Sequence, residues 1–236
     1  MLTGGAPVVV VNNNGTDKPH YWDGGAGLFL VLTNSVQQRA SVGYLGRLFG
    51  GNVYDGSWLL NRIQWSDDGD ITAWSGATSG SLDLKDEGDP IYRLGILPNH
   101  IGVAYRWESV YLLVPTGDPY DPIGHQFLEA RGMLAANSLQ SIGHAHIFLG
   151  HDDIYLCTVS GLQPVGLKVR EDLFKDADPA KLSLAWSFLD KREKDYYLVI
   201  EMSDSTQRAF IYNYEQGTWT QQDLTGYTCL ATWRED

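Results

Sequence analysis

Apolar and polar residues alternate in short runs along this chain and seldom recur every three or four positions, a pattern that predicts strands. Runs rich in β-branched and aromatic residues fall at 7–11, 28–33, 103–105, 110–114, 146–149, 154–159, 196–202 and 209–214. Between them stand turn-forming groups: Asn13-Asn14-Gly15, Ser66-Asp67-Asp68-Gly69, Gly150-His151-Asp152-Asp153 and Glu215-Gln216-Gly217. These residues tolerate the left-handed and bridge conformations that tight turns need. Helical spacing is confined to residues 171–174 and 178–184.

The runs join into hairpins. Residues 196–202 turn at 203–207 into 208–214 and continue, after Glu215-Gln216-Gly217, into Thr218-Trp219-Thr220, which predicts a three-strand antiparallel meander. Residues 145–149 turn into 154–159 and again, at Ser160-Gly161, into 162–169; residues 101–105 pair with 110–114. Such units recur about every 40–50 residues, the blade spacing of propellers with four strands per blade. The expectation is an all-β, β-propeller-like fold of about five antiparallel meander blades, forming one domain over residues 1–236. A β-sandwich or a pair of smaller sheets is the alternative with the same strand statistics.

Composition supports a large core: 43% of residues are hydrophobic, and 8 Trp and 13 Tyr supply much apolar area. The apolar runs fall far short of the roughly 20 residues of a membrane helix. Met1-Leu2-Thr3-Gly4-Gly5 has neither the basic nor the apolar region of an export signal. A soluble protein without a membrane partner is expected. Acidic residues number 29 against 17 basic, for a net charge of -12, which opposes tight nucleic-acid binding. Cys157 and Cys229 lie in strand-like runs without zinc-type spacing and read as buried thiols.

Several groups bear on chemistry. His144, His146 and His151, followed by Asp152 and Asp153, offer imidazole and carboxylate ligands, and two histidines two apart on a strand share a face. The same residues suit a strand and a plain tight turn, which is the reading preferred here. Asp67-Asp68-Gly69-Asp70 resembles half a calcium loop but lacks the later bidentate Glu, and residues 71–74 resume strand character. Asp118, Asp121 and Glu129 are candidate carboxylates for glycoside hydrolysis, with nothing to say which of them face each other. No G-x-S-x-G motif occurs, and Gly24-Gly25-Ala26-Gly27 lacks the following Lys of a phosphate loop. Trp58, Trp65, Trp74 and Trp107 with Tyr44 and Tyr54 could stack on sugars, or pack as core. No catalytic residue, metal or cofactor is assigned, and an enzyme is not expected.

Five ordered stretches resemble a family of tailed-phage structural proteins. They are Val8-Val9-Val10-Val11-Asn12-Asn13-Asn14-Gly15-Thr16-Asp17 with Trp22-Asp23-Gly24; Arg47-Leu48-Phe49-Gly50-Gly51-Asn52 with Asn61-Arg62-Ile63-Gln64-Trp65-Ser66 and Trp74; residues 101–114 around Trp107-Glu108-Ser109; Ala136-Asn137-Ser138 leading to residues 146–155; and Asp195-Tyr196-Tyr197-Leu198 through residues 211–220. Together they are similar to the β-propeller of tail nozzle (tail tubular B-like) proteins of short-tailed phages and related prophage virion proteins. The resemblance implies a virion protein of the phage tail, made in the host cytoplasm. Such a protein assembles with copies of itself, commonly as a hexameric ring, and with portal, adaptor or other tail proteins. DNA would pass without tight binding, since an acidic channel wall repels it. The nozzle proteins are longer, with further domains, so a hub or connector position is also implied. Tyr54, Trp58, Tyr120 and Arg131 are the candidate interface residues, chosen as loop aromatics and an Arg. The alternative function is a carbohydrate-binding or glycan-degrading propeller.

Overall fold

The computed structural model describes residues 9–224 except Asn13 and Ala26. Among them are nineteen strands and one α-helix. The strands form five antiparallel sheets, each a meander in chain order. The first contains β1 (Val9–Val11), β2 (His20–Trp22) and β3 (Leu30–Val31). Four strands each make the others: β4 (Gln37–Tyr44), β5 (Arg47–Tyr54), β6 (Trp58–Trp65) and β7 (Gly80–Asp83); then β8 (Ile91–Leu97), β9 (Ile101–Arg106), β10 (Val110–Pro115) and β11 (Ile123–Glu129). The fourth sheet is β12 (Gln140–Ser141), β13 (His146–Leu149), β14 (Ile154–Thr158) and β15 (Gly161–Pro164); the fifth is β16 (Trp186–Asp190), β17 (Asp195–Glu201), β18 (Gln207–Asn213) and β19 (Thr218–Leu224). The chain is thus all-β and propeller-like, with five meander blades, and among the described residues there is no strand exchange between sheets of the kind a sandwich requires. By packing it divides into two compact units, Met1–Ala130 and Arg131–Asp236.

In the first unit, Tyr44, Phe49 and Trp65 stack with centroids 5.4 and 5.7 Å apart. Ile63, Ile91, Leu94, Leu113 and Ile123 close around them. Strand β5 is buried on both faces from Arg47 to Val53, and its paired glycines show why. A Cβ on Gly50 would fall 1.8 Å from Gln38 Oε1, and one on Gly51 would fall 2.9 Å from Ile91. The glycines let neighbouring side chains approach the backbone. Tyr44 pins two sheets: its hydroxyl lies 2.6 Å from the His100 carbonyl and 3.0 Å from that of Leu113, and accepts the Gly102 amide.

Arg106 is wholly buried. Its guanidinium donates to the carbonyls of Lys85, Asp86 and Asp89, lies 3.4 Å from the Asp89 carboxylate and covers the Tyr111 ring at 5.4 Å. Asp89 in turn accepts the Glu108 amide and the Ser109 hydroxyl. The loop before β8 is therefore tied by one cation, which adds to the Asp89 amide already on the Asp86 carbonyl.

In the second unit Ile147, Leu149 and Ile154 pack with Tyr196, Leu198, Ile200 and Phe210. The helix α1 (Arg170–Asp176) adds Leu173. Tyr196 is fully buried and donates to the Ser138 carbonyl at 2.7 Å, and burial raises its hydroxyl pKa far above the ordinary value. Asp153, 1% exposed, accepts the amides of Ile154 and Gly166 at 2.7 and 2.8 Å and pairs with Arg170 at 3.0 Å.

Several predicted boundaries shift. The hairpin of 196–202 with 208–214 forms as β17 and β18, with Leu198 opposite Phe210. The strand expected over 162–169 ends at Pro164, because Asp153 takes the Gly166 amide and the chain turns into α1. The strand of 28–33 pairs only through Leu30 and Val31. Residues 71–74 are not a strand: Trp74 Nε1 donates to the Ile71 carbonyl at 2.7 Å, and both side chains turn inward beside Leu32 and Leu48. Residues 7–8 and Cys229 lie outside the described residues.

The Asp67 loop is a turn, as expected, and its carboxylate is taken up internally. The Thr78 hydroxyl and amide both donate to it, which holds the Asp67 carboxyl below the usual carboxylate range. A depressed folded pKa means that the contribution to stability is present above the unfolded value and is lost as pH falls through the folded one. Thr78→Val, which removes the hydroxyl, is expected to raise the Asp67 midpoint in an NMR carboxyl titration. An unchanged midpoint would show that the hydroxyl does not hold the charge.

Candidate functional site

Two of the four candidate interface residues come together. Tyr54 ends β5 and Trp58 begins β6, directly opposite across the Asp55-Gly56-Ser57 turn, with ring centroids 5.6 Å apart, edge to face. Gly56 takes φ +76°, the left-handed conformation that closes so short a turn without a Cβ penalty. The Arg39 guanidinium sits 4.5 Å from the Trp58 ring. Gly15, also left-handed, lies so near the indole that a Cβ there would be 2.4 Å from it. Trp58 therefore spends much of its ring on internal packing, whereas Tyr54 remains 40% exposed.

Tyr120 occupies the turn between β10 and β11, where its amide donates to Asp118, and its side chain is 68% exposed. Arg131 is exposed at the start of the second unit, near enough to Tyr155 to oppose the rise in that hydroxyl's pKa, which burial and Asp152 drive. Of the other aromatics, Tyr44, Trp65 and Trp74 are core residues. Trp107 is half-buried and meets Tyr92 edge to face at 5.5 Å.

The candidate ligand groups separate. His146 is buried in β13 opposite Cys157, itself a buried thiol outside any disulfide. His144 lies in the preceding turn, outside the strand, so the shared-face relation does not apply; His151 is exposed in the next turn. Asp152 accepts the Tyr155 hydroxyl. Among the described residues no three His, Cys, Asp or Glu side chains gather as around a metal ion. Asp118 and Asp121 sit at one end of β11 and Glu129 at the other. At about 3.3 Å per residue that is roughly 20 Å, beyond the 5–9.5 Å or so of a glycosidase pair.

One cleft lies wholly within the second unit. Ser141, Ile142 and Gly143 line one side, and Leu189, Lys191, Lys194 and Tyr214 the other, around a volume of about 260 Å³. The turn that carries the lysines is tied down. Asp190 accepts the amides of Arg192 and Glu193 at 2.9 and 3.2 Å, Asn213 donates to the Glu193 carbonyl and the Asp195 carboxylate, and the Tyr214 amide donates to the Lys194 carbonyl at 2.9 Å. Sequence reading passed over this group because Asp190-Lys191-Arg192-Glu193-Lys194-Asp195 looks like a solvated run of mixed charge.

No protein-family model matches the chain, and no curated protein matches it. No helix among the described residues is long and apolar enough to cross a membrane.

Proposed function

We propose that the chain is a structural protein of a bacteriophage tail, a nozzle, hub or connector component that binds copies of itself and neighbouring tail proteins and lets DNA pass. One observation carries this reading. The five stretches that resemble nozzle proteins fall on five successive meander sheets, one on each: β1–β2, β5–β6, β9–β10, β13–β14 and β17–β19. The net charge of -12 is consistent with a wall along which DNA slides without adhering. No catalytic role is proposed. Exposed Tyr54, Tyr120 and Arg131 are the contacts tested first, since aromatic residues and Arg dominate protein interfaces.

The test is mass spectrometry and electron microscopy of purified virions. The chain should be present in stoichiometric amount, and Tyr54→Ala with Tyr120→Ala should lower its incorporation about tenfold or more, beyond what the small drop in unfolding midpoint from losing the Tyr54–Trp58 contact accounts for. Absence from virions of a chain that is expressed in the lysate, or salt-sensitive nanomolar duplex binding, would overturn the reading. A second reading, carbohydrate binding, is favoured by the lysine-lined cleft of the second unit.

A further inference from the structure

We infer that the cleft between the β12–β13 turn and the β16–β17 turn binds one acidic sugar residue, a hexuronate, with Lys191 and Lys194 on its carboxylate and Ile142, Leu189 and Tyr214 against its ring. This goes beyond the tail reading and does not depend on it.

Charge supplies the first argument. The protein is strongly acidic, yet the ionisable residues lining this cleft are two lysines and a tyrosine. The neighbouring carboxylates are held within their own turns: Asp190 takes two amides, Asp195 accepts from Asn213, and Glu193 lies 3.5 Å from Arg192, while burial and then Glu215, Asp190 and Asp195 raise the Tyr214 pKa from beside the cleft. Among the described residues, neither lysine side chain has a hydrogen bond or ion pair. A carboxylate entering the cleft would meet two lysines that no carboxylate of the turn pairs with.

The backbone supplies the second. Lys194 stands at φ +63°, a conformation that Gly or Asn takes at lower cost. Strained non-glycine positions that the surroundings over-determine cluster at ligand sites, and here the Tyr214 amide, Asn213 and Asp190 fix the turn from three sides. The backbone that carries the Lys194 side chain is thus fixed, which removes the backbone share of the ordering cost of binding.

Size and lining supply the third. About 260 Å³ lies just under the roughly 300 Å³ at which drug-sized pockets begin, room for one ring and not a chain. Inorganic phosphate would leave Ile142, Leu189 and the Tyr214 ring unused. A neutral sugar would leave the lysines unused. A hexuronate uses both, and the Ser141 hydroxyl can pair with a ring hydroxyl.

The full chain should be titrated with glucuronate, glucose and inorganic phosphate at low ionic strength, followed by NMR chemical shifts. Glucuronate is expected to bind with a Kd on the order of millimolar, with shifts confined to the two turns and Tyr214, and glucose and phosphate about tenfold more weakly or worse. Lys191→Gln, at an exposed position, and Lys194→Asn, which suits the left-handed backbone, should each weaken glucuronate about three- to tenfold with the thermal midpoint retained. Equal affinity for glucose or for phosphate, no saturable glucuronate binding, or unchanged affinity in both folded variants would each overturn the inference. Its failure leaves the virion test untouched.

Discussion

Arg106→Ala is expected to cost about 3–5 kcal/mol of stability, read as a drop in the urea midpoint. The size follows from what the change leaves behind. Asp89 would remain buried with its cation gone, and its own carbonyl and those of Lys85 and Asp86 would lose the guanidinium, with Asp86 keeping the Asp89 amide. Breaking one half of a buried ion pair costs far more than the pair contributes net, because the surviving charge is uncompensated. The double variant Arg106→Ala, Asp89→Ala should accordingly lose less than the sum of the two single variants. Additive losses would mean that the guanidinium acts through its carbonyl bonds and the Tyr111 contact alone.

Asp153→Ala should destabilise the second unit by about 2–4 kcal/mol, since two buried amides lose their acceptor together. Asp153→Asn, which keeps one acceptor oxygen, should lose about half as much. Hydrogen exchange gives the sharper readout: the amides of Ile154 and Gly166 should exchange faster in Asp153→Ala, together with the first turn of α1, which Arg170 ties to the same carboxylate. Unaltered protection at Gly166 would show that the carboxylate is not what turns the chain there.

These two residues also mark where sequence reading stopped. The β17–β18 hairpin was legible to within one residue, because apolar and aromatic runs flank a polar turn on both sides. The end of β15 was not, since it depends on a carboxylate reaching back from Asp153 across the sheet. Residues 71–74 misled because Ile71 and Trp74 carry strand-like apolarity while packing from a turn. Arg106 follows a strand-like run and looks like an outward position, and nothing local says that three loop carbonyls converge on it. One available signal went unused. Asn34-Ser35-Val36-Gln37 and Asn137-Ser138-Leu139-Gln140 each lead into the first strand of a blade, and both serines donate from Oγ to the carbonyl three residues back at 2.7 Å. That repeat would have placed two blade starts directly. In the candidate site, Tyr54 and Trp58 were read as loop aromatics, whereas they face each other as the paired ends of two strands, and the cleft was hidden, because partner choice among mixed charges is a property of the folded turn.

Cys157 gives the second unit a built-in clock. Its sulfur is sealed between β13 and β15, opposite His146 and Leu162, and a thiol reagent cannot reach it while the fourth sheet is intact. Where closing outpaces labelling, the labelling rate reports the population of opened sheet and not the chemistry of the thiol. Comparing that rate for the wild-type chain and for Asp153→Ala would measure how far the loss of one buried acceptor loosens the neighbouring blade short of global unfolding.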